Sequence, residues 1–153
     1  MELVAGAAER VRGGEVVSVS ALYEGGEDIG VARELAVAFL ADAQAVHGLA
    51  VSERASGAVE LVVSELVTNA RKYAPGPCLL TLEIADGTVE VAVWDSSPVL
   101  PVLLGPDPTR IGQHGLEIVT VLGQSFSIHR EPVGKRITTV IALADDAGAD
   151  GWL

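Results

Sequence analysis

The sequence has little cysteine, few aromatic residues and a shortage of basic charge, and each absence closes off a class of function. Cys78 is the one cysteine in 153 residues, so no internal disulfide can form, and a reducing cytoplasm is the expected compartment. Aromatic residues make up 4% of the chain against 49% hydrophobic residues in total, which leaves Val, Leu, Ile and Ala to build the core. Ten Lys and Arg against twenty-one Asp and Glu give a net charge of −11. Without a basic footprint, neither nucleic acid nor an anionic membrane surface is expected as a general partner. No uncharged apolar run of about 18 residues is present to span a membrane. The opening residues 1–10 have neither a basic start nor a long apolar stretch and do not read as a signal peptide. His47, His114 and His129 are scattered and form no metal-ligand pattern. There is no Gly-x-Ser-x-Gly elbow and no Walker-type phosphate loop. The length fits one domain, residues 1–153, with room for a sizeable core.

Local signals order the chain. A first strand is expected over Val16–Leu22. Asp28 is placed to cap a helix over Ile29–Val46, whose apolar residues recur at helical spacing and which Gly48 stops. Ser52 is placed to cap a second helix that runs to about Ala74, ahead of Pro75-Gly76-Pro77. Leu79–Ala85 and Thr88–Trp94 alternate as strands around Asp86-Gly87, a strong hairpin signal. A short helix is expected over Leu116–Leu122, then strands over Gln124–Arg130 and Lys135–Leu143. Four of the seven prolines fall between Asp95 and Gly115, and a loop of that length in a small domain suggests a lid, assigned to residues 98–113. Residues 144–153 read as a frayed tail. Hairpin-linked strands with helices gathered on one face predict an α+β two-layer sandwich, with a mixed, mostly antiparallel sheet and about three helices.

The residues that carry chemistry are few. On a helical wheel of the second helix, Ala55, Val59, Val62, Leu66, Ala70 and Tyr73 form the apolar face. Glu65, Asn69 and Lys72 border that face, and Glu60, Ser64, Thr68 and Arg71 point to solvent. Glu65 and Asn69 stand one turn apart: a carboxylate that can polarise a nucleophile beside a carboxamide that can ligate a hard cation. The same pattern also fits ordinary boundary polar residues. Continuing the period of two along the hairpin puts Asp95 on the inward face with Val89, Val91 and Val93, where it either meets a donor or caps the following turn. Gly112-Gln113-His114-Gly115-Leu116 opens the short helix, either as a close approach to phosphate or as a hinge. Thr139 puts a hydroxyl on the inward face of the last strand, a position a β-branched residue also fills by packing alone.

Together, in order and spacing, these residues resemble the GHKL (Bergerat-fold) ATPase superfamily. The pattern is Glu65-x-x-x-Asn69-x-x-Lys72-Tyr73, a hairpin ending at Asp95, a Pro-rich loop, Gly112-x-x-Gly115-Leu116, and a strand pair with Gly134-Lys135. Within the superfamily the chain looks most like the small bacterial anti-sigma-factor serine/threonine kinases, and the resemblance runs from about Val16 to Leu143. It implies Glu65 as the catalytic residue, acting as base or orienting the nucleophile, Asn69 as Mg²⁺ ligand, and Lys72 and Tyr73 on the phosphate side. It implies Asp95 as acceptor of the adenine amino group, Gly112, His114, Gly115 and Leu116 at the phosphates, and Thr139 in support of adenine. ATP and Mg²⁺ are the implied cofactors, and a sigma factor or an anti-sigma-factor antagonist the implied partner. A homodimer face on the first strand and helix is compatible with the resemblance. The implied activity is transfer of the ATP γ-phosphoryl group to a Ser or Thr of an antagonist protein, and the alternative is a non-catalytic nucleotide- or partner-binding switch. One departure stands out. Where the family carries Asp-x-Gly-x-Gly, this chain has Asp95-Ser96-Ser97-Pro98-Val99, so the backbone there must follow another path.

Overall fold

The computed structural model describes residues 2–4, 9–11, 14–26, 28–73, 76–96, 125–132 and 134–144. The elements run β1 (Glu2–Val4), β2 (Glu9–Val11), β3 (Gly14–Tyr23), α1 (Ile29–Ala45), α2 (Glu53–Tyr73), β4 (Cys78–Ala85), β5 (Thr88–Asp95), β6 (Ser125–Arg130) and β7 (Lys135–Ala142). The described strands form one sheet in the order β1-β3-β4-β5-β7-β6, with β2 also paired to β3. Every described pairing is antiparallel. This is the expected two-layer α+β sandwich, with two helices described. The expected third helix, the lid at residues 98–113 and the tail beyond residue 144 lie outside the described residues. Among the described residues, no helix is long and apolar enough to cross a membrane.

Both helix starts are set by short polar side chains. Asp28 Oδ1 accepts from Gly30 N at 3.0 Å, and Ser52 Oγ accepts from Ala55 N at 3.0 Å, each satisfying an amide that the first turn leaves open. Gly48, at φ +67, lets the chain turn back after α1, where Leu49 N donates to Ala43 O at 3.0 Å. Asp86 (φ 52) and Gly87 (φ 77) make the tight turn between β4 and β5.

The core lies between the helices and the inward face of the sheet. Leu80, Leu82 and Ile84 of β4, Val89, Val91 and Val93 of β5, and Ile137 and Ile141 of β7 are all buried there. On α2 the expected stripe of Ala55, Val59, Val62, Leu66 and Ala70 is buried, and so are Ala58, Val63 and Val67. The buried arc is wider than a single stripe because α2 packs on the sheet and on α1 at once. For the same reason Glu60, Ser64 and Arg71, expected in solvent, are half-buried, and of that group Thr68 alone is exposed.

Neighbours at both ends show how α2 lies along the sheet. At its start, Ser52 N donates to Leu143 O at 2.8 Å, and Arg54 Nη2 donates to Ala142 O at 3.2 Å, just past and at the end of β7. Beyond its end, a Cβ placed on Gly76 would stand 3.7 Å from Ser96 Oγ, next to the last residue of β5. The C-terminal turns of α2 therefore lie over the edge of the sheet where β5 ends and β7 begins.

Candidate functional site

At that edge β5 ends in Asp95 and β7 begins at Lys135, two charged side chains the core would otherwise exclude. Asn69, Asp95, Lys135, Thr138 and Thr139 are the buried polar residues among those described. Position along the elements shows which of them stand together. Asn69 lies seventeen residues past Ser52, about 25 Å along a helix. Lys135 lies eight residues before Leu143, about 27 Å along a strand. Both lengths are counted from the Ser52–Leu143 hydrogen bond, and Glu65 is one helical turn before Asn69 on α2.

Asp95 ends β5 on the inward face, as the alternation predicts, and pairs directly across with Lys135. Oδ1 accepts a hydrogen bond from Lys135 Nζ at 3.1 Å. Oδ2 lies 2.9 Å from the same nitrogen, at an angle that makes it an ionic contact rather than a second hydrogen bond. Both side chains are 1% exposed. The purine-binding carboxylate implied by the resemblance thus already carries a buried counter-charge. The sequence motif included Gly134-Lys135 but gave Lys135 no role. The signal was present: Lys135, Ile137, Thr139 and Ile141 share one face of β7, and a lysine on an inward face requires an anion.

Gly134 holds this pair in place. Its φ of +86 is one that side-chain-bearing residues rarely adopt. A Cβ there would collide with the Asp95 carbonyl, standing 2.7 Å from its carbon and 2.8 Å from Ser96 Cα. The β6–β7 turn can come this close to the end of β5 because residue 134 has no side chain, and the approach delivers Lys135 to the carboxylate. On the outward face directly behind, the Arg136 guanidinium sits 5.4 Å from the Trp94 ring centroid, and its Nε lies 3.5 Å from Glu131 Oε1.

Asn69 is the second informative residue. It is 8% exposed, and its Nδ2 finds no hydrogen-bond partner among the described residues. A buried amide left without a partner costs free energy, so its presence fits an acceptor beyond the described residues. Glu65, one turn earlier, is half-buried. The Glu65–Asn69 strip therefore borders the buried face as the wheel predicts.

The remaining expected residues divide. Lys72 is exposed and lines a shallow hollow of about 520 Å³ with Gly25, Ile29, Thr68, Arg71 and Gly76. Tyr73 ends α2, and its side chain lies outside the described residues, as do Gly112, His114, Gly115 and Leu116. Thr139 faces inward but pairs with Val91, four residues along β7 from Lys135, or about 13 Å from the level of Asp95. Its hydroxyl donates to Ser125 O at 2.7 Å. Lys135, not Thr139, is the residue of β7 that pairs with Asp95. Among the described residues, no group of three or more His, Cys, Asp or Glu forms a metal cluster.

Comparison with known proteins bears on this arrangement. No curated protein matches the sequence. Among solved structures, the chain is similar to the histidine kinase domain of the Erythrobacter litoralis EL346 blue-light activated histidine kinase, at 19% identity and a TM-score of 0.45. That alignment covers 73% of this chain and 61% of the other, so this chain spans less than two thirds of that domain. The family model described as "Histidine kinase-like ATPase domain" matches residues 30–141, a span that holds Glu65, Asn69, Asp95 and Lys135. A match over that much of the sequence shows the family: the chain belongs to the histidine kinase-like ATPase domains of the GHKL superfamily.

Proposed function

We propose that this chain is an ATP-binding regulatory protein that transfers the γ-phosphoryl group of Mg-ATP to a Ser or Thr of an antagonist protein, as an anti-sigma-factor kinase does. Family membership supports ATP as the ligand. The observation that carries the reading is the Glu65–Asn69 strip, in which a half-buried carboxylate stands one turn from a buried amide with no partner among the described residues. The Asn69 side chain fits a Mg²⁺-phosphate group, because one end of a carboxamide ligates a cation through oxygen while the other donates to a phosphate oxygen. Bound there, Mg²⁺ would supply charge neutralisation at the phosphates. Glu65 would take the proton from the target hydroxyl as that oxygen bonds to the γ-phosphorus. The bond from phosphorus to the β-phosphate bridging oxygen then breaks, and its electron pair leaves with ADP.

Titration calorimetry with Mg-ATP tests binding, and phosphoryl transfer to the cognate antagonist tests catalysis. Glu65→Gln should keep ATP affinity and lower transfer by about 10²–10⁴, the usual contribution of a general base. Wild-type protein that binds ATP and the antagonist but transfers no phosphate would remove the kinase reading. A second reading, a non-catalytic nucleotide or partner switch, draws support from the covered Asp95–Lys135 pair, since a nucleotide must enter a site whose carboxylate is already matched.

A further inference from the structure

We infer that the open edge of β6 is a pairing surface for a second copy of this chain, which joins the two sheets antiparallel across a two-fold axis at Ser127. The inference goes beyond the ATP-binding reading and does not depend on it.

β6 is the last strand of the sheet, and among the described residues its outer edge pairs with no strand. Sheet edges are usually protected by a lysine, a proline, a bulge or extreme shortness. At the opposite end of the sheet, β1 is three residues long and holds Glu2. β6 is six residues long, matches β7 one for one without a bulge, and contains no Lys, Pro, Asp or Glu. The hydrogen bond from Glu131 N to Gly134 O sets the alternation of the ladder, so that Ser125, Ser127 and His129 bond toward β7. The Ser125 carbonyl, which accepts from Thr139 Oγ1, faces β7 as that alternation requires. The backbone amides and carbonyls of Phe126, Ile128 and Arg130 therefore point to the open edge. Phe126 and Ile128 also turn their side chains to the helix side of the sheet, where they pack against the core and remain half-buried.

These groups select their occupant. An antiparallel neighbour must keep apolar side chains on the helix side and present its own free backbone groups to residues 126, 128 and 130. A second copy meets both conditions when Phe126 faces the second copy's Ile128 and Ile128 faces the second copy's Phe126. Each of those pairs exchanges both of its backbone hydrogen bonds, and each covers apolar surface that β6 leaves half-open. Ser127 then faces the second copy's Ser127 on the outward side, and Ser125 faces the second copy's His129. No like charges meet at these positions. The next register in phase would set Arg130 against the second copy's Phe126, a charge against an apolar ring. The contact is one strand edge long and each copy carries a net charge of −11, so the dimer is weak and concentration-dependent.

The test uses the intact chain in sedimentation equilibrium from about 10 µM to about 1 mM, at an ionic strength of about 0.15 M. The native chain should show a concentration-dependent dimer. Ser127→Glu and Ser127→Lys should each weaken it by about tenfold or more, because like charges then meet across the axis, and an equimolar mixture of the two should restore it. On oxidation, Ser127→Cys should form a disulfide between copies, since a pair of this kind sets the Cα atoms about 4.5 Å apart. Ser125→Cys, which does not face itself, should stay unlinked. A chain that is monomeric at about 1 mM and whose Ser127→Cys variant does not cross-link overturns the inference. A dimer that Ser127→Glu leaves intact overturns it too, since the contact would then lie on another face. Should the glutamate and lysine variants lose their circular dichroism, the two cysteine variants decide alone.

Discussion

Breaking the Asp95–Lys135 pair should be among the most damaging single changes available in this domain. Both side chains are 1% exposed, so neither partner can turn to water when the other is removed. Removing one member of a buried pair typically costs about 3–5 kcal/mol, because the survivor is left charged and unmatched. Lys135→Met and Asp95→Leu should each cost that much, and for a domain of this length the melting temperature should fall by about 6–20 °C. The double variant should cost far less than the sum, since replacing both charges with apolar groups of similar size is often close to neutral. Urea denaturation of the four proteins gives the coupling directly, and repeating it in high salt separates a buried pair from a screened surface one. The reasoning fails if each single change costs under about 1 kcal/mol, the range of exposed pairs, or if the two losses simply add.

Three further changes probe other parts of the argument. Gly134→Ala should destabilise by more than about 1 kcal/mol in chemical denaturation, because φ +86 is strained for alanine and the new Cβ strikes the Asp95 carbonyl; a loss within error would show that the turn yields easily. Asn69→Leu should leave stability within about 1 kcal/mol of wild type, or raise it, while Mg-ATP binding by calorimetry is lost. A loss above about 2 kcal/mol would show that the Asn69 amide is already matched within the fold. Ser52→Ala should cost about 0.5–2 kcal/mol of unfolding free energy by removing the acceptor for Ala55 N at the start of α2, and an unchanged denaturation midpoint would refute that cap.

What the sequence determined by itself was local. Asp28 and Ser52 start their helices, Asp86-Gly87 turns its hairpin, and the apolar residues of α2 point inward. Each of these depends on neighbours within a few positions, where periodicity and capping chemistry operate. The inward direction of Asp95 was legible in the same way, from a period of two. The partner of Asp95 was not. Lys135 is forty positions away, and only the placement of β7 beside β5, with Asp95 opposite Lys135, brings the two charges together. That register also sets the inward hydroxyl of Thr139 opposite Val91, four residues along β7 from Lys135. Burial followed the same division. A helical wheel finds the apolar stripe of α2 but not its width, because Val63 and Val67 are covered by a second layer that the wheel does not contain. Strand pairing and layer contacts join residues distant in the chain, and no local pattern carries that information.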